Sequence, residues 1–200
     1  AFVVALVPWR RLRSGPTAML LSVLGSLALV ALGIIVIATG EVVAVSAPSP
    51  IGVALVDVRV DALSALFLVA LGIVGIATSV FGVGYHGHGP AGRDRTEAAF
   101  PVFLLSLALV FASVDVFAFL FAWEIMALSS AALVFGARPD AAVARAGYFY
   151  LAVTHLATAA IVVAFAVLAA AAGASDFASL AATTGTLPAL GRDVVFVLLL

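Results

Sequence analysis

The sequence contains no cysteine and no lysine, and only 10% of its 200 residues are charged. Without cysteine the chain has no disulfide framework, no thiolate metal site and no iron–sulfur cluster of its own. So few charges exclude a water-soluble monomer, whose surface draws on roughly 25% charged residues. They also exclude disorder, which needs high charge and low hydrophobicity. Nine basic residues against ten acidic ones give a formal net charge of −1, so there is no basic surface for nucleic acid. What is present instead is 66% hydrophobic residues. That is the composition of an integral membrane protein.

A spanning helix needs about 20 mostly apolar residues to cross a hydrocarbon layer of about 30 Å. The pattern predicts an all-α polytopic transmembrane helix bundle in a single membrane domain over 1–200. Complete spans are expected at 18–39, 62–83, 98–113, 116–135 and 147–172, with cut spans at 1–8 and 193–200. The run from 98 to 137 is almost unbroken, and as one helix it would reach about 60 Å. It is therefore divided near Ser113-Val114-Asp115 into a hairpin of two spans, with Pro101 expected in the first turn of the earlier one, where its missing N–H costs little. Asp61 stands where a helix N-cap is needed for the span at 62. Ala1 and Leu200 both lie inside apolar runs, so the chain is expected to be a piece of a longer protein. The first residues do not read as a signal peptide, because Arg10, Arg11 and Arg13 follow the apolar stretch instead of preceding it.

With alternate loops on opposite sides, Arg10, Arg11, Arg13, Arg93, Arg95, Arg138 and Arg145 fall together, and only Arg59 and Arg192 fall opposite. The positive-inside rule puts the seven-Arg side in the cytoplasm. The expected location is the bacterial inner membrane, with the lipid bilayer as solvent.

Charged side chains inside a span cost at least about 2.5–3.5 kcal/mol each and tend to mark an ion or proton path. Glu124 lies near the middle of the span at 116–135, and its helical neighbours Phe117, Leu120, Phe121, Ala127, Leu128 and Ala131 are all apolar. No partner comes from its own helix, so another helix or enclosed water has to supply one. His155 lies in the next span, where Tyr148, His155 and Thr158 make a polar stripe on an otherwise apolar helix. Imidazole changes charge near neutral pH and can pass a proton between its two nitrogens. Glu124 and His155 are the candidates for proton transfer, with Tyr148 and Thr158 as supporting polar groups. The plainer readings are interhelical glue for Glu124 and a satisfied core histidine for His155.

Other polar positions carry less. Asp115 is expected to be a solvated turn residue, and Asp57, Arg59 and Asp61 a solvated outer cap. Ser129 and Ser130 do not face Glu124, and small mid-span side chains usually serve close helix packing. His86-Gly87-His88 offers two metal ligands without a clear third, so no metal site and no cofactor are expected in this chain.

The segment Phe121-Ala-Trp-Glu-Ile-Met-Ala-Leu-Ser-Ser-Ala-Ala-Leu-Val134 resembles the Glu-bearing helix of the antiporter-like proton-pumping subunits of respiratory complex I, Mrp cation/proton antiporters and membrane-bound hydrogenases. Val60-Asp-Ala-Leu-Ser-Ala-Leu-Phe67 resembles the start of that family's third helix. Tyr150-Leu-Ala-Val-Thr-His-Leu-Ala-Thr158, Ala164-Phe165 and Ser175-Asp-Phe-Ala-Ser-Leu180 are similar to the hydrogenase-4 component B and formate hydrogenlyase branch. The likeness runs from about residue 55 to the end. It implies a subunit of a dozen or more helices, in which the Glu matched by Glu124 works with a Lys in the next helix. That Lys would lie beyond Leu200, so the 200 residues alone should not transport anything. It also implies partners: other membrane subunits and peripheral hydrogenase or dehydrogenase subunits that hold the metal and iron–sulfur centres. Three readings stay open: a proton-translocating subunit of a hydrogenase-type or NADH dehydrogenase-like complex, the large subunit of an Mrp-type sodium/proton antiporter, and a scaffold in which Glu124 is only glue.

Overall fold

The computed structural model describes residues 15–48, 55–86, 94–137 and 140–200. Arg10, Arg11, Arg13, Arg93, Arg138, Gly87 and His88 lie outside them, as does the expected span at 1–8. In chain order the elements are α1 (Gly15–Thr39), β1 (Val43–Pro48), β2 (Leu55–Val60), α2 (Ala62–His86), α3 (Asp94–Ala112), α4 (Val116–Ala137), α5 (Ala141–Ala172), α6 (Phe177–Thr183), a 3₁₀ turn at Thr184–Thr186 and α7 (Ala189–Leu199). Four helices are long and apolar enough to cross a membrane, at Thr17–Thr39, Ala62–Val83, Val116–Gly136 and Ala141–Ala172, and Ala98–Ala112 is a shorter apolar helix. The chain is a multi-pass membrane helix bundle.

Local sequence explains the boundaries. Asp61 Oδ1 accepts the backbone N–H of Ser64 at 2.9 Å and caps α2, a bond that holds the Asp61 carboxyl below its ordinary pKa. The long apolar run is indeed two helices. They are separated at Ser113–Asp115, where Asp115 accepts the N–H of Ala118 at 2.9 Å. Asp115 is thus the cap of α4 rather than a free turn residue. Asp140 caps α5 through Ala142, and Gly173, at φ 65°, closes it with an N–H donated to Ala169. The helix starts at Ala141, so it runs about 48 Å at 1.5 Å per residue and overreaches the hydrocarbon layer. Pro101 is another departure. Because α3 begins at Asp94, Pro101 sits inside the helix and brings no N–H to its ladder.

The loop expected to be a solvated cap is a two-stranded antiparallel hairpin, with Val43 opposite Val60 and Ser46 opposite Asp57. Asp57 is half-buried, and its Oδ1 has no hydrogen-bond partner. The hairpin reaches the α3–α4 turn through a bridge from Val58 to Ser113, and a second bridge joins Asp115 to Asp176. Val116 N–H donates to Ser175 at 2.9 Å and Phe177 N–H to Val114 at 3.0 Å. β2, the α3–α4 turn and the start of α6 are therefore joined by main-chain bonds at one end of the bundle.

Packing divides into two clusters. Val36, Val60, Ala65, Leu68, Ala108 and Ala112 are buried between α1, α2, α3 and the hairpin. Ala164, Leu168, Leu180 and Val195 are buried between α5, α6 and α7, with Val116 of α4 against them. α1 and α2 approach each other closely. There a Cβ at Gly33 would lie 2.7 Å from the Ala65 carbonyl oxygen, and a Cβ at Gly72 would lie 2.7 Å from that of Ser26. Small residues at such a crossing let two backbones approach without a hydrophobic driving force between them.

Candidate functional site

Glu124 and His155 lie at matching depth because α4 and α5 are consecutive and antiparallel. Glu124 is about 20 Å along the helix from the end of α4, and His155 about 21 Å from the start of α5. Their rotations bring them together: His155 Nε2 lies 3.5 Å from Glu124 Oε2, an ion-pair distance rather than a close hydrogen bond. The partner that the α4 sequence could not supply is thus a histidine of α5. The two side chains are 35% (Glu124) and 49% (His155) exposed, so the pair opens sideways from the described helices.

The second ring nitrogen decides what His155 can do. Nδ1 lies 2.9 Å from the backbone carbonyl of Leu151, one turn back. A carbonyl only accepts, so Nδ1 carries the hydrogen and donates it. Nε2 is then the ring nitrogen that faces Glu124. One ring nitrogen thus meets the backbone of its own helix and the other meets Glu124.

Of the supporting residues, Thr158 is buried; it donates to Thr154 O at 3.0 Å and accepts from Trp123 Nε1 at 3.2 Å. Tyr148 is different. It is 69% exposed and rests on Phe135, with ring centroids 5.2 Å apart, well away from the Glu124–His155 pair in sequence register. The stripe of Tyr148, His155 and Thr158 therefore faces α4 along its length but serves three separate contacts. Ser130 makes a fourth, its hydroxyl 2.7 Å from that of Tyr150, while Ser129 bonds back to Met126 O in its own helix.

Trp123 and Tyr150 were not singled out by sequence reasoning. The signal for Trp123 was its i, i+4 spacing from Phe119, whose ring lies 5.6 Å away and also meets Phe165 and Phe177. Among the described residues, no group of three or more His, Asp or Glu side chains is placed to hold a metal ion.

Residues 113–200, which begin at the α3–α4 turn and include both Glu124 and His155, match the family described as NADH:quinone oxidoreductase/Mrp antiporter, transmembrane. The structure as a whole is similar to a chain of the membrane-bound sulfane sulfur reductase, an archaeal respiratory membrane complex, with a TM-score of 0.77 and 22% identity over 92% of this chain. The chain shares its fold with that membrane complex chain. The fold is also shared with a chain of the Mrp complex from Dietzia sp. DQ12-45-1b, at a TM-score of 0.75 and 19% identity over 98% of this chain. In each case the chain spans 37% of the solved one. Uncharacterised proteins of Mycobacterium tuberculosis, strains CDC 1551 / Oshkosh and ATCC 25618 / H37Rv, are 42% identical over 85 residues, which is 42% of this chain and 13% of theirs.

Proposed function

We propose that this chain is part of a proton-translocating membrane subunit in which Glu124 and His155 hold one proton between them. The observation that carries the reading is their 3.5 Å contact across adjacent apolar helices. With one proton the pair is neutral overall, as carboxylate and imidazolium or as carboxylic acid and imidazole. A second proton, or none, leaves a net unit charge in the apolar layer, at a cost of at least about 2.5–3.5 kcal/mol. The pair therefore loads or unloads when a charge outside it changes. Because Leu151 holds Nδ1, exchange takes place at Nε2, and His155 serves as the partner of Glu124 rather than as a wire. The open side of the pair is a costly face to present to lipid, which supports further protein against it.

The complex we assign is a hydrogenase-type or NADH dehydrogenase-like oxidoreductase in the bacterial inner membrane. In it, electron transfer, metal and iron–sulfur centres belong to partner subunits, and the Arg-rich loops face the cytoplasm. The Thr154-His155 helix and the Ser175-Asp-Phe-Ala-Ser segment support this branch. A gradient-driven sodium/proton antiporter is the second reading, favoured by the likeness to the Mrp complex.

The test uses the full-length protein assembled with its native partners in vesicles. Glu124→Gln is expected to abolish proton translocation with assembly intact. Unchanged translocation would remove the central residue from both transport readings, and loss of assembly would leave Glu124 as glue. Mild-detergent purification then separates the two transport readings. Nickel, iron and hydrophilic redox subunits indicate a hydrogenase-type complex; flavin and iron–sulfur subunits without nickel indicate a dehydrogenase type. Small membrane subunits alone indicate the antiporter.

A further inference from the structure

We infer that Trp123 is a positioning residue, which through Thr158 fixes the axial register of α4 against α5 and so sets the Glu124–His155 contact. The inference rests on the function proposed above for that pair. The buried residues of α4, Ala118, Ala122, Ala127, Ser129 and Ala131, are small, and the polar one, Ser129, bonds within its own helix. Apolar packing is non-directional, so it holds the two helices together without fixing how far one slides along the other. A hydrogen bond does fix it. The Trp123 indole N–H donates to the Thr158 hydroxyl at 3.2 Å, and the hydroxyl donates onward to Thr154 O. Trp123 neighbours Glu124 in sequence, and Thr158 lies one turn from His155, so this bond and the ion pair share one level of the hairpin.

Both ends of the bond are themselves held. The Trp123 ring packs on Phe119, which stands edge-on to Phe165 of α5 and Phe177 of α6. Thr158 is buried and anchored to its own helix. A second hydrogen bond between side chains of the two helices, Ser130 with Tyr150, lies more exposed and about 9 Å along α4 from Glu124. The 3.5 Å ion pair is too long and too open to set the register by itself. The Trp123–Thr158 bond is the better placed of these contacts to do it.

The experiment uses the full-length protein in its native complex, labelled with ¹⁵N-histidine. The His155 resonance is the one lost in His155→Gln. Trp123→Phe keeps a ring and removes the donor; Thr158→Val keeps the shape and removes the acceptor. Each is expected to move the His155 Nε2 resonance and to lower proton translocation by roughly tenfold, the size of one ordinary hydrogen bond. The double variant should be no worse than either single, and Thr158→Ser should restore both readouts. Tyr150→Phe should leave the resonance in place. The inference is overturned if Thr158→Val leaves the resonance unmoved, if Thr158→Ser fails to restore it, or if Tyr150→Phe moves it equally. If Glu124→Gln leaves translocation intact while Thr158→Val still moves the resonance, the positioning role stands and the proton function does not.

Discussion

The α1–α2 crossing offers a prediction whose size follows from distances. An alanine Cβ at Gly33 would stand 2.7 Å from the Ala65 carbonyl oxygen and 2.5 Å from Val69 Cγ2, where ordinary contact begins at 3.4 Å. The valine methyl can turn away, but the carbonyl belongs to the backbone of α2, so the helices must separate locally by about 0.7 Å. Overpacking of this kind costs about 1–3 kcal/mol. Gly25, on the same helix, has nothing within 4 Å of the point where an alanine methyl would stand, and it serves as the control. Both substitutions gain the same helix preference of alanine over glycine, up to about 1 kcal/mol. Their difference therefore isolates the steric cost. Thermal unfolding of the full-length protein in detergent should place Gly33→Ala below Gly25→Ala by roughly 1–3 °C at the length of the solved chains it resembles. Equal melting temperatures would refute the argument that α1 and α2 meet backbone to backbone at this point.

Two further perturbations probe the ends of helices. Asp61→Ala removes the cap of α2 and should cost about 1 kcal/mol, reduced by the exposure of the site. Because the Ser64 N–H holds the folded carboxyl below its ordinary value, the native contribution is present above the unfolded pKa and disappears as pH falls through the folded one. The melting gap between Asp61→Ala and the native protein should therefore close in acid, and a gap that widens there would contradict the assignment. Val116→Pro is the second. Position 116 is the first residue of α4, where proline suits the helix itself. The substitution removes the N–H given to Ser175 and alters the Val116 packing on the α5–α7 cluster, and should cost at least about 1–3 kcal/mol. Proteolysis of the α4–α6 region would show no change if this bond contributes nothing.

How much of this was legible in the residues differs from element to element. Ala62–Val83 reads directly as a span because bilayer thickness imposes its length, and Asp61 announces its start. The break at Ser113–Asp115 follows from the length of the run alone. Glu124 and His155 stand out by the cost of placing them in lipid, and counting residues from the α4–α5 turn puts them at one depth. Their contact was not legible, because helix rotation depends on packing between Phe119, Trp123, Phe165 and Phe177, which lie far apart in the chain. The tether from His155 to the Leu151 carbonyl uses a backbone acceptor, which no side-chain pattern reports. The β-hairpin was readable but passed over. Val56, Val58 and Val60 alternate with Asp57 and Arg59 at the strand period, and the charges drew attention to solvent instead.

The joint at Ser113–Val116 has a consequence for how this fold diverges. Its bonds run from main chain to main chain, between β2, the turn and the start of α6. Every residue except proline brings the same N–H and C=O to these bonds, so beyond the Asp115 cap and the packed Val116 the joint asks little of its side chains. The helix that carries Glu124 is thus aimed largely by its backbone. Natural variation can rewrite the surroundings of the turn and still deliver a carboxyl to the same depth.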